Sequence, residues 1–305
     1  MPKKVIFLAV LVLLIAGGVV ASLGERNPDV GLSSVREIWA DVLRDADQVG
    51  LKATRVTAAE EMQIGAEMSA TMPWPGHADA ERYVTAVAAR LTPNVRRKEI
   101  RYTFHVIGSP EVNAFALPGG HIYVLQGLLD FLKNESELAA ILGHEISHVD
   151  LRHCIERYQY ELALKKVGAR DLGVLAEVAH SLVAIGYTQY QELEADAQGE
   201  RLAIEAGYDP EAALQVFHRM QEQFGGTSIK QPETPVGEVT RSIGEAIGSY
   251  FQTHPPSGAR ERQLDDLLAR NRRQLGNREF YVGIRNYREQ VARNEREYPE
   301  EKKTR

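Results

Sequence analysis

Between residues 33 and 91, apolar side chains recur at three- and four-residue spacings with polar ones filling the gaps, the pattern of helices that bury one face. Val35, Ile38, Trp39 and Leu43 give the first stripe. Thr57 then stands as an N-cap ahead of a helix over Ala58 to Ala70, and Pro73-Trp74-Pro75-Gly76 breaks the chain before another helix carrying Tyr83, Val84, Val87 and Leu91. Trp74, between two prolines, reads as boundary packing. The period then drops to two. Arg101 to Ile107, Val112 to Leu117 and His121 to Leu125 are short runs rich in β-branched and aromatic residues, separated by Gly108-Ser109-Pro110 and Pro118-Gly119-Gly120, which predicts a small three-stranded sheet. His105 and His121 within it are expected to be structural. Asn113-Ala114-Phe115-Ala116 is the candidate edge, where free backbone groups can pair with an extended peptide.

Helical spacing returns after Gly127. Asn134 predicts a helix beginning at Glu135, with Glu137 completing a capping box and Leu138, Ile141, Leu142 and Val149 buried. Gly143 removes a side chain where a strand or substrate could approach. Asp171 to Gly186 is nearly all apolar but short for a bilayer span, and predicts a core helix. Asp209-Pro210 opens a helix over Glu211 to Phe224, in which His218 is expected to pack, and Leu264 to Leu275 forms a further one. From Arg285 the chain is charged and poor in apolar residues, which predicts a solvated end. The expected fold class is α+β, mainly helical with a small three-stranded sheet. The expected organisation is an export signal or membrane anchor over 1–24, a helical segment packing on the body over 25–75, the main domain over 76–275 and a charged tail over 276–305.

Composition narrows the function. The 305 residues are 44% hydrophobic, enough for one sizeable core. A net charge of -6 without a Lys/Arg stripe argues against nucleic acid as a partner. Cys154 is the only cysteine, which excludes an intramolecular disulfide and a cysteine-rich metal site, so a metal here takes histidine and carboxylate ligands. Lys3 and Lys4 precede an uncharged apolar run, so membrane association through residues 5–24 and a place in the periplasm or at the outer face of the inner membrane are expected. Val19-Val20-Ala21 suits cleavage, while the run to Gly24 also has the length of a spanning helix.

The chemistry centres on His144-Glu145-Ile146-Ser147-His148. On a helix, His144 and His148 lie one turn apart on one face and can chelate zinc, and Glu145 beside them can act as a general base on water. Leu151 and Cys154 stand where the metzincin pattern requires glycine and histidine, which excludes that subclass. His153, if the helix continued, would point about 140° away from His148, so it is expected to be structural or an outer partner. The third ligand must come from elsewhere, and Gln189 to Gly199 offers Glu192, Glu194 and Asp196. Glu192 and Asp196 share a helical face, whereas Glu194 is turned about 160° from Glu192. The alternative is a solvated acidic face.

Taken together, Asn113-Ala114-Phe115-Ala116-Leu117-Pro118-Gly119-Gly120-His121, the His144-to-His148 helix and Glu192-Leu193-Glu194-Ala195-Asp196 resemble the zinc metallopeptidase family that includes HtpX, BepA and the CAAX prenyl protease. The resemblance runs from about Glu60 to about Leu268. It implies one zinc ion held by His144, His148 and Glu192, Asp196 as the partner of a ligand histidine, and the strand ahead of Gly119-Gly120 as the substrate edge. Thr253 to Arg260 resembles a further family element and implies that His254 and Arg260 face the zinc, with His254 either stabilising an oxyanion or taking the open coordination position in a closed state. The expected activity is zinc-dependent endopeptidase, with Glu145 as base, acting on unfolded or misassembled proteins of the cell envelope in quality control. A chaperone-like holder with a structural zinc is the rival, disfavoured because a structural site does not need Glu145.

Overall fold

The Thr57 hydroxyl accepts from the Glu60 amide while the Glu60 carboxylate accepts from the Thr57 amide, and this reciprocal cap opens helix α1 (Ala58–Ala70) at the predicted residue. The computed structural model describes residues 56–72, 77–165, 186–224, 250, 254 and 258–304. The predicted stripe at Val35 to Leu43, Trp74, the apolar run before residue 25 and nearly all of the predicted core helix after Asp171 lie outside those residues.

After helix α2 (Ala78–Ala88) come strands β1 (Thr103–Ile107), β2 (Ala114–Leu117) and β3 (His121–Leu125). Their order is β1-β3-β2, with β3 parallel to β1 and antiparallel to β2. Gly119 and Gly120, at φ 79 and 93, make the left-handed turn that returns the chain from β2 to β3. This leaves β2 at an edge of the sheet, with Asn113 immediately before it. One face of the sheet, including Phe104, Val106, Ile122 and Val124, packs into the main core with Val84, Leu138 and Leu142. The other, with Ile107, Phe115, Leu117 and Tyr123, packs on Met68, Ile155 and Tyr158. The alternation is the period-two pattern at work. His105 and His121 are half-buried on this second face, and His121 Nδ1 lies 2.9 Å from the Thr103 hydroxyl.

Helix α3 (Gln126–Phe131) leads into helix α4 (Glu135–Asp150), and helices α5 (His153–Lys165), α6 (Gln189–Glu205), α7 (Ala212–Phe224) and α8 (Gly258–Leu275) follow. Every residue of α4 is buried. A helix enclosed on all sides must pair its charges internally. Asp150 does so through the amides of Arg96 and Arg97 and the Gln198 side chain. Asn134 caps α4 as predicted, accepting from the Glu137 amide at 3.0 Å. The reciprocal half of the box does not form: the Glu137 carboxylate accepts from the Lys133 amide and from Arg219. His218, predicted to pack, is half-buried and faces Glu261 at 3.4 Å.

The stretch from Arg285 is mostly exposed, as expected, but it is not frayed. Strand β4 (Glu279–Tyr281), helix α9 (Ile284–Glu289) and strand β5 (Lys302–Thr304) fold this stretch back onto the body. Phe280, Tyr281, Val282, Ala292 and Tyr298 are buried. The carbonyls of Gly283 and Val282 accept from the Glu135 and Ser136 amides at 3.1 and 3.0 Å, so this segment satisfies the first two open donors of α4.

Candidate metal centre

Helix α4 meets α6 through a pair of glycines. A Cβ on Gly143 would stand 2.7 Å from the Gly199 carbonyl oxygen, and one on Gly199 would stand 2.7 Å from the His144 amide nitrogen. The neighbour that Gly143 admits is therefore a helix, where a strand or substrate was expected. This close crossing brings His144 and His148 on α4 against Glu192 and Asp196 on α6.

His144 Nε2 lies 3.1 Å from His148 Nε2 and 3.4 Å from a Glu192 oxygen, and His148 Nε2 lies 3.5 Å from the other Glu192 oxygen. The fourth member comes from outside the helices. His254 Nδ1 lies 3.0 Å from Glu192 Oε1 and 3.1 Å from His144 Nε2. One donor atom from each of His144, His148, Glu192 and His254 falls within 4.8 Å of the others, and all four residues are buried. The segment bearing His254 is tied to the sheet edge, since the Tyr250 amide donates to the Val112 carbonyl and the His254 amide to the Tyr250 carbonyl.

The electrostatics suit a cation. Against the effect of burial, hydrogen bonds and charge from Asp196 and Glu192 raise the pKa of His144 to about 9. Burial and the neighbouring His144 push His148 well down. Glu192 and Asp196 are held below the usual carboxylate range, because Arg260 outweighs their burial. Burial raises Glu145. Both Glu145 oxygens and His254 Nε2 are buried and make no hydrogen bond, although the two groups stand 3.3 Å apart. Orphaned polar atoms beside a four-donor cluster are what a metal site leaves when only its protein part is considered.

Asp196 accepts from His144 Nδ1 at 2.9 Å. Arg260, expected to face the zinc, instead lies behind the cluster: it grips Asp196 through two nitrogens at 2.8 and 2.7 Å and Glu192 at 2.8 Å. Helix α8 begins at Gly258, six residues before the predicted start, and this orients Arg260. His153 lies where an outer partner would, although a continued helix would have pointed it away. Helix α4 ends at Asp150 and Arg152 turns left-handed at φ 71, so His153 opens a new helix and comes back to His148, Nδ1 to Nδ1, at 3.0 Å. Two aromatic residues were missed. Tyr187 stacks on His148 with ring centroids 3.6 Å apart, and Tyr250 stacks on His254 at 4.4 Å. Their only signal in the sequence is proximity to Glu192 and to His254.

The pattern that defines peptidase family M48 matches residues 78–268. The chain belongs to peptidase family M48. This M48 member is 30% identical over 201 residues to the mitochondrial metalloendopeptidase OMA1 of Schizosaccharomyces pombe, covering 64% of this chain and 55% of that protein. It is 27% identical over 227 residues to the beta-barrel assembly-enhancing protease of Yersinia pestis, covering 66% and 46%, and 31% identical over 165 residues to OMA1 of Arabidopsis thaliana, covering 52% and 30%. The chain thus spans about a third to about half of the length of these relatives. Membership in M48 implies a metal, and among the described residues the cluster of His144, His148, Glu192 and His254 is the group that can hold it.

Proposed function

We propose that this M48 chain is a zinc-dependent endopeptidase that hydrolyses peptide bonds in unfolded or misassembled proteins of the cell envelope. The observation that carries the reading is Glu145, buried and without a hydrogen bond one residue along from His144. Imidazoles with one carboxylate suit zinc better than a hard, oxygen-seeking cation. His144 and His148 would hold it through Nε2, with Glu192 as third ligand. When bound, zinc acidifies water and polarises a carbonyl.

Glu145 takes the proton of the attacking water on its carboxylate and hands it to the leaving amine nitrogen. Its raised pKa favours a group that must both accept and return a proton. Asp196 holds the hydrogen of His144 at Nδ1 and so leaves Nε2 free to ligate. Arg260 acts on Glu192 and Asp196, keeping both ionised in a buried place, and not on substrate. His254 stands where a fourth ligand would, so this arrangement corresponds to a closed form from which His254 withdraws to admit substrate. An extended peptide would lie along the edge formed by Asn113, Ala114, Phe115 and Ala116, all of which are buried in this closed arrangement.

Relatives named for β-barrel assembly, together with Lys3, Lys4 and the apolar run that follows, support an exported enzyme of protein quality control in the periplasm or at the outer face of the inner membrane. No helix among the described residues is long and apolar enough to cross a membrane, and the membrane association proposed through residues 5–24 concerns residues outside them. Glu145→Gln tests the chemistry: the variant is expected to keep its zinc and lose cleavage of an unfolded protein, and wild-type cleavage by it sinks the assignment. Glu192→Ala is expected to lose stoichiometric zinc and Glu194→Ala to retain it. The reverse result moves the third ligand to Glu194.

A further inference from the structure

The two ligand histidines are supported differently. His144 leans on a carboxylate, Asp196, backed by Arg260. Among the described residues no carboxylate meets the outer nitrogen of His148. Its Nδ1 meets His153 Nδ1 at 3.0 Å, and His153 Nε2 meets Glu194 Oε2 at 3.4 Å. His153 is buried, and the Glu194 side chain reaches the surface at 37% exposure. Resting on the metal-site reading above, we infer that His153 and Glu194 form a two-residue relay that sets the tautomer and orientation of His148, making His153 a positioning residue for the metal centre.

The hydrogen positions follow from the contacts. If Nε2 of a neutral His148 faces the ion, its one ring hydrogen is on Nδ1. A contact between two Nδ1 atoms holds one hydrogen, so His148 donates and His153 accepts. His153 must then carry its own hydrogen on Nε2, which is the atom turned to Glu194. Each link fixes the next, and the carboxylate at the outer end anchors the series. The stacked ring of Tyr187 closes one face of His148, leaving rotation about its ring axis as the freedom that the relay removes. The left-handed Arg152 is what makes the geometry possible, since a continuous helix would carry His153 away.

The test uses the full-length chain and three variants, with zinc affinity measured by competition against a chromophoric chelator and with the visible spectrum of the cobalt-substituted protein. His153→Phe keeps ring volume and removes both nitrogens. It is expected to weaken zinc binding by about 10–100-fold, the usual effect of losing an outer partner of a ligand, and to change the cobalt spectrum. His153→Asn offers an acceptor oxygen close to the lost Nδ1 and is expected to recover most of the affinity. Glu194→Ala is expected to weaken binding in the same direction and by less. Wild-type affinity and spectrum in His153→Phe overturn the relay, as does a lowered melting temperature in that variant with zinc affinity unchanged, or an Asn variant no better than Phe. Failure of the wild-type chain itself to take up one zinc overturns the metal-site reading instead.

Discussion

At the first turn of α4, Glu135 accepts from the hydroxyls of Tyr208 and Tyr83 and from the Arg293 amide, and Glu137 accepts from two nitrogens of Arg219. At the third turn of the same helix, Glu145 is as deeply buried and accepts no hydrogen bond. Burial raises both Glu135 and Glu145, but only Glu135 has hydrogen bonds that pull it back. A buried carboxylate without partners costs about 1–3 kcal/mol or more. The fold builds hydrogen bonds for every acidic group at one end of this helix, whereas the one beside the histidines makes none and has only His254 facing it at 3.3 Å. That difference separates a carboxylate that holds structure from the one proposed above to carry a proton.

Four measurements press on the comparison. The largest effect is expected from Glu145→Gln, which should lower kcat/KM by about 10²–10⁴-fold while leaving the melting temperature unchanged or higher. A melting temperature that falls as far as for a Glu135 variant would mean the two ends are alike. Next, Arg260→Met leaves Asp196 and Glu192 buried without their shared cation, and is expected to cost about 3–5 kcal/mol in urea unfolding. Little change would show that the two carboxylates need no counter-charge.

Glu200, one turn beyond Asp196 on α6, lies between the extremes: one oxygen accepts from Asn271 at 2.6 Å and the other makes no hydrogen bond. Burial raises its pKa to about 7 from 4.5. The folded chain therefore binds more protons there than the unfolded one, and the stabilisation is complete below pH 4.5 and lost as pH rises through about 7. The loss is on the order of 3 kcal/mol, and unfolding free energy measured across that window should show a slope that Glu200→Gln removes. The smallest effect is expected from Glu135→Ala, about 1–3 kcal/mol from the hydroxyls and amide left unpaired, with zinc content per folded molecule unchanged.

Local signals were readable in the chain because local chemistry sets them. Thr57 and Asn134 cap the helices they were expected to cap, and β-branched alternation placed the three strands. The four-residue spacing of His144 and His148 needed only the helix. What could not be read depends on partners far along the sequence. Arg260 meets Asp196 across 64 residues. The Gly143 and Gly199 crossing has no periodicity to announce it. The direction of His153 was read by continuing a helix that stops at Asp150, and one left-handed residue turns it back to His148. The stretch from Arg285 reads as solvated because its average is charged, and most of it is exposed, but Asn286, Ala292 and Tyr298 are buried and tie it down.

The contact that Val282 and Gly283 make with α4 bears on the order of assembly. Glu135 and Ser136 receive their carbonyl partners from Val282 and Gly283, and Ser136 also donates its hydroxyl to Tyr281. During synthesis from amino to carboxyl end, the histidines and Glu192 leave the ribosome well before these residues do. A nascent or prematurely ended chain thus carries the ligands on a helix whose first turn is unfinished. The first turn of α4 is finished only once Tyr281, Val282 and Gly283 have emerged, after every residue of the cluster.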